Sequence, residues 1–126
     1  MNTKNLGGMT LNLDEICKLL NATLLTTNHD LTRVVHSAFS ADMMSDVLAF
    51  AKNDSILITG LCNPQVMRTA EMMDLAGVIF VRKKEPDANM LRLAEEIGLC
   101  VMTTDLSMFS TCGRLYGAGL VGGVEY

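Results

Sequence analysis

The stretch DLTRVVHSAFSADMMSDVLAFA, residues 30–51, decides how the chain is read. It begins with Thr32-Arg33 running into Val34-Val35 and passes through the small, mixed run His36-Ser37-Ala38-Phe39-Ser40. Asp42 then opens a helix with apolar positions at Met43, Met44, Val47, Leu48 and Ala51. A strand over 34–40 followed by a helix over 42–51 is one β-α unit, and the chain downstream repeats that unit. Residues 55–59 (SILIT), 77–81 (GVIFV) and 99–103 (LCVMT) are continuous apolar runs, the pattern of parallel strands covered on both faces. Between and after them lie helical patterns at 64–76, 87–97 and 106–118; a short helix at 13–20 and a strand at 22–26 come before.

The punctuation agrees with these boundaries. Asn12 followed by Glu15 has the spacing of a capping box, and Asn63-Pro64, Pro86-Asp87 and Thr104-Asp105 open helices. Gly98 ends one helix, and Gly117, Gly119 and Gly122-Gly123 end the last. Alternation of this kind predicts an α/β fold: a three-layer α/β/α sandwich around a mostly parallel sheet of about five strands. One domain spans 1–126, with 1–9 (MNTKNLGGM) a loose leader.

Composition excludes several functions. The chain has 126 residues, a formal charge of -4 and only one cationic cluster, Arg82-Lys83-Lys84, which Glu85 and Asp87 follow at once. That balance argues against nucleic acid as a partner. No apolar run approaches the length of a membrane span, and no secretory leader is present, so a cytoplasmic setting with free thiols is expected. Cys17, Cys62, Cys100 and Cys112 are too scattered for a zinc ribbon, a redox pair or an iron-sulfur cluster. Cys17, Cys100 and Cys112 fall on apolar faces, which leaves Cys62, in a loop, as the most accessible. At 49% hydrophobic residues, with ten methionines, the chain has apolar surface to spare for a Met-rich core or for self-association.

Sites in a parallel sheet form at the carboxyl ends of the strands, where helix N-termini and loops meet. Ser40-Ala41-Asp42, Gly60 to Asn63, Arg82 to Lys84, and Thr103-Thr104-Asp105 are the four loops placed there. Free helix N-H groups and Arg82 suit a small anionic ligand, whereas Asp42, Asn63 and Asp105 are equally explained as helix caps. Neither GxxxxGK[ST] nor a strand followed by GxGxxG occurs, so no ATPase or dinucleotide cofactor is implied. No catalytic residue, metal or cofactor is assigned. His29 reads as a solvated turn residue; His36, beside Ser37, is a structural or ligand-binding group more readily than a base. Asp42 and Asp46 fall on one helix face, where helix-start electrostatics account for them. Arg33, the one cation among Asp30, Asp42 and Asp46, is placed to fork across a carboxylate or loop carbonyls.

The central segment resembles the DRTGG domain family, whose pattern is an arginine-led turn, a valine, small residues where the family has paired glycines, and an Asp-Leu-Leu-Ser-Asp-Val-like helix. The resemblance runs over about 13–120 and includes the closing FSTCGRLYGAGL. It implies a non-enzymatic regulatory or ligand-sensing domain that forms homodimers, found in bacteria and archaea within larger enzymes or alone. Such domains are similar to the N-terminal domain of HPr kinase/phosphatase, but the kinase phosphate loop is absent here. Arg33, Ser40, Asp42, Ser45 and Asp46 match the pattern. Thr32 replaces the family aspartate, and His36-Ser37 or Ser37-Ala38 replaces the glycine pair, which removes an easy positive φ or close backbone approach. The candidate ligand-binding or dimer-contact residues are therefore Arg33, His36, Ser37, Ser40, Asp42, Ser45, Asp46, Asn63, Arg82, Thr103 and Thr104. The ligand implied is a nucleotide or another phosphorylated small molecule; a small enzyme or phosphotransfer accessory using His36 or a loop cysteine, and a pure dimerisation scaffold, are the alternatives.

Overall fold

The computed structural model describes residues 10–122. In chain order the elements are β1 (Leu11–Asn12), α1 (Leu13–Leu19), β2 (Thr23–Leu24), β3 (Val34–Val35), β4 (Ser37–Ser40), α2 (Met44–Phe50) and β5 (Ile56–Thr59). Then come α3 (Pro64–Met72), β6 (Gly77–Phe80), α4 (Ala88–Ile97), β7 (Cys100–Thr103), α5 (Met108–Gly117) and β8 (Val121–Gly122). Six strands make the main sheet in the order β2-β7-β6-β5-β4-β8; all are parallel except β2, which runs antiparallel to β7.

The layers follow from the handedness of the crossovers. From β4 to β7 each connection steps one place in the same direction, so right-handed crossovers put α2, α3 and α4 on one face. The next connection reverses direction, and α5 accordingly returns across the other face to lay β8 beside β4. Side chains sort the same way. Leu57, Val78, Phe80 and Val101 pack with Met44, Val47, Val66, Met67 and Ala94, whereas Ile56, Ile58, Ile79 and Met102 pack with Leu13, Ile16 and Leu115. This is the three-layer sandwich that the continuous apolar runs imply.

Caps hold the helices where the sequence marks them. Asn12 and Glu15 form a reciprocal capping box, Asn63 accepts from Gln65 N at 3.0 Å ahead of Pro64, and Asp87 accepts from Met90 N at 2.9 Å. Gly98 closes α4 at φ 71, a left-handed position that glycine adopts without a Cβ penalty.

Four sequence expectations are corrected. The strand expected over 34–40 breaks at His36: β3 leaves the main sheet and pairs antiparallel with β1, Leu11 opposite Val35, while only β4 joins the main sheet. Asp42 does not open α2, which starts at Met44 after an N-cap, Met43, that makes no side-chain cap; Asp42 and Asp46 therefore do not share a helix face. The last helix starts only at Met108 and is capped by Ser107, which accepts from Ser110 N at 3.1 Å; Thr104 lies upstream, its hydroxyl donating to Leu20 O at 2.9 Å and accepting from Leu106 N at 3.3 Å. Gly122 lies in β8 rather than at a helix end, while Gly123 and the expected leader lie outside the described residues. The thiols fall into two exposure classes, with Cys17, Cys100 and Cys112 packed in or against the apolar core as expected. Cys62 is half-buried, as are Cys17 and Cys112, and burial pushes its thiol up; buried Cys100 is pushed up to about 12 by the same cause.

Two contacts expose the fold to direct test. A Cβ at Gly77 would stand 2.9 Å from the Cys100 carbonyl oxygen across the β6-β7 pair, closer than packed backbone allows. Gly77→Ala is therefore expected to destabilise the protein by about 1–3 kcal/mol in urea unfolding; wild-type stability would refute the close approach. At the far side of β7, Glu95 accepts from the backbone N-H of Thr27 at 3.0 Å and of Asn28 at 2.8 Å, fastening residues 27 and 28 to α4. These donors, the Thr27 N-H first, hold its carboxyl below the ordinary value of 4.5. A depressed carboxylate contributes stability that is complete above the unfolded value and lost as pH falls through the folded one. Asp30, lowered chiefly by the Thr32 hydroxyl, acts with the same sign. Glu95→Gln should flatten the acid limb of the stability-pH curve below about pH 4.5 without removing it.

Candidate functional site

The carboxyl ends of β4 and β5 meet at Asp42. Its Oδ1 accepts from the Thr59 hydroxyl at 3.0 Å and from Gly60 N at 2.8 Å, and Thr59 Oγ1 in turn accepts from Leu61 N at 3.1 Å. Thr59 is fully buried, so this carboxylate satisfies a hydroxyl that water cannot reach. Ser40 ends β4 next to this cluster, and Asn63 caps α3 two residues after Leu61. Ser45 and Asp46 lie on α2 and face solvent.

Two strands further on lie the carboxyl ends of β6 and β7. Their outgoing connections go to opposite faces, α4 to one and α5 to the other, which is where open α/β sheets leave a crevice for ligands. Here the two loops bridge it. Thr103 Oγ1 donates to Lys84 O at 2.6 Å, Lys83 N to Thr104 O at 2.7 Å and Arg82 N to Leu106 O at 2.8 Å. Arg82 and Lys83 are held at φ 56 and 62, consecutive left-handed conformations that side-chain-bearing residues seldom adopt. Three exposed cations, Arg82, Lys83 and Lys84, thus project from a backbone turn locked to the start of α5.

Arg33 lies at the other end of the sheet. Its guanidinium donates to Asp54 and reaches Asp74 O at 3.5 Å, bridging the turns that lead into β5 and β6. It lines a cavity of about 270 Å³ with Glu71, Asp74 and Glu96. Ser37 is at this end too, buried against Ser55 with the hydroxyl oxygens 2.8 Å apart. Four residues of strand, roughly 13 Å, separate these groups from Ser40 and Thr59. The central segment therefore supplies two places rather than one: Arg33 and Ser37 at the amino ends, Ser40 and Asp42 at the carboxyl ends. His36 is exposed at the break between them. His29 is not solvated as expected; its Nε2 lies 2.7 Å from Thr26 O and its Nδ1 is buried.

Thr59 and the already placed loop residue Gly60, with Phe109 and Tyr116, stand at these places without being candidates in the sequence reading. The Thr-Gly pair after an apolar run marked the first two; nothing local marked the aromatics. A cavity of about 380 Å³ lies between α5 and the β4-β8 edge, with Ser40 and Phe109 at its carboxyl end. Phe109 is 88% and Tyr116 70% exposed.

The two polar clusters carry different costs. Arg33 is 33% exposed and Asp54 51%, so the contact expected from sequence is a surface ion pair. Arg33→Ala should cost about 0–1 kcal/mol. Asp42→Ala strips acceptors from a buried hydroxyl and a backbone N-H and should cost about 1–2 kcal/mol. Urea unfolding that reverses this order would contradict both assignments.

The DRTGG domain family profile matches residues 15–118. No curated protein matches the chain. Among solved structures, the fold is similar to the CBS and DRTGG domains of the regulatory region of Clostridium perfringens pyrophosphatase, determined as a complex with the activator diadenosine tetraphosphate. The TM-score is 0.73 at 18% identity, over 94% of this chain and 50% of that one, so the chain spans half the length of that structure. With the family profile covering most of its length, this chain belongs to the DRTGG domain family.

Proposed function

We propose that this chain is a non-enzymatic regulatory domain, working as a homodimer, that senses a nucleotide or another phosphorylated small molecule at the carboxyl ends of its parallel strands. The observation that carries the reading is the Arg82-Lys83-Lys84 turn: three exposed cations on a doubly left-handed backbone, at the point where connections diverge to opposite faces. Strained backbone is kept where the surrounding structure enforces it, and here the carbonyls of Thr104 and Leu106 do so. The similar pyrophosphatase region, a regulatory segment complexed with a nucleotide activator, favours the same reading. Exposed Met43, Phe50 and Met72, away from α5, supply apolar surface for a partner copy. An enzyme built on His36 has less support, because that ring is exposed and makes no hydrogen bond among the described residues. The Cys62 thiol, raised by burial, is a poor nucleophile.

A thermal-shift screen of nucleotides and phosphorylated metabolites tests the sensing role, since a ligand specific for the folded state raises the melting temperature by mass action. At least one phosphorylated compound should stabilise wild type and lose most of that effect in Arg82→Gln. A screen without a stabilising compound contradicts sensing, and light scattering that gives a monomer contradicts the dimer.

A further inference from the structure

Resting on that reading, we infer that the phosphorylated ligand carries a planar, uncharged ring such as a nucleobase, and that the ring enters the cavity under α5. The cavity is about 380 Å³, within the range of small-molecule sites, and none of the residues lining it carries a charge. Phe109 and Tyr116 stand two helical turns apart on α5 with Gly113 between them, and all three line the cavity. A Cβ at Gly113 would meet nothing within 4 Å, so this position inside a helix is left open although almost any other residue suits a helix better. Aromatic side chains around an open apolar space match the face of a ring system, while a bare phosphate or sugar phosphate would find no charge to meet there.

The polar groups are gathered at one end. Ser40 lines the cavity where β4 finishes. Arg82 N is tied to Leu106 O at 2.8 Å, two residues before α5 begins, so the cationic turn is anchored beside the same end of the helix. β6 is two strands from β4 in the sheet, roughly 10 Å, which is within the span of a nucleoside monophosphate. Charge complementarity thus divides the ligand: neutral ring under α5, anionic group toward Arg82, Lys83 and Lys84.

The test is calorimetric titration of ribonucleosides, ribonucleoside monophosphates, ribose phosphate and inorganic phosphate into wild type, Gly113→Leu and Arg82→Gln. Leucine at 113 adds bulk at the helix wall of the cavity and favours the helix, so loss of fold does not confuse the result. The expected result is that a nucleoside monophosphate binds wild type more tightly than ribose phosphate, and about tenfold or more weaker in Gly113→Leu. Arg82→Gln should weaken the monophosphate and leave the parent nucleoside unchanged. Equal monophosphate affinity in wild type and Gly113→Leu, or equal affinity for ribose phosphate, overturns the ring site while leaving ligand sensing intact. If Gly113→Leu changes the mass in solution and not the affinity, the α5 face is a contact between copies and the inference falls. Failure of every phosphorylated probe to bind wild type removes both the inference and the sensing reading.

Discussion

The handedness of one connection shapes the carboxyl end of the sheet. Three successive crossovers step in one direction and stack α2, α3 and α4 on one face of the sheet; the fourth reverses, and α5 must return across the other. That reversal has two results. It parts the outgoing chains at the carboxyl ends of β6 and β7, where the two loops are hydrogen-bonded to each other. It also brings α5 over the β4-β8 edge, where the cavity beneath Phe109, Gly113 and Tyr116 forms. Both features come from the same chain reversal, and the hydrogen bonds from Arg82 and Lys83 to Leu106 and Thr104 join them.

The central segment serves this arrangement as a connector. Breaking at His36 lets β3 pair with β1 above one face while β4 enters the sheet, so the segment reaches both ends of the strands. At the amino ends Arg33 links the turns at Asp54 and Asp74, both held at positive φ. At the carboxyl ends Asp42 satisfies Thr59 and Gly60. The first is a solvent-screened pair and the second compensates a buried hydroxyl. A carboxylate with a fully buried donor therefore matters more for shape than an arginine with exposed partners.

Much of this was legible in the sequence. The α/β class, the four central strands and the caps at Asn12, Asn63 and Asp87 follow from apolar runs and local hydrogen-bonding chemistry, which depend on neighbours in the chain. What was not legible depends on distant residues. Asp42 has the position of a helix cap, and only the approach of β5 turns its carboxylate toward Thr59 instead. Thr104 likewise donates its hydroxyl to Leu20 O, far away in sequence, and the helix starts later, capped by Ser107. Short strands such as β1, β3 and β8 carry too few residues for a period to show. The candidate residues of the central stretch are adjacent in sequence, yet a strand holds their two ends apart; periodicity describes which face a residue takes and not which end of the sheet it serves.

Amide NMR titration of the protein with the phosphorylated compound that stabilises it most tests the central claim that the carboxyl ends of the strands form the sensing site. The account predicts that the largest shifts fall at Ser40, Gly60, Arg82, Lys83 and Thr104, with Phe109 and Gly113 moving along with them. Shifts confined to Arg33, Asp54, Asp74 and Gly98, at the amino ends, would contradict it.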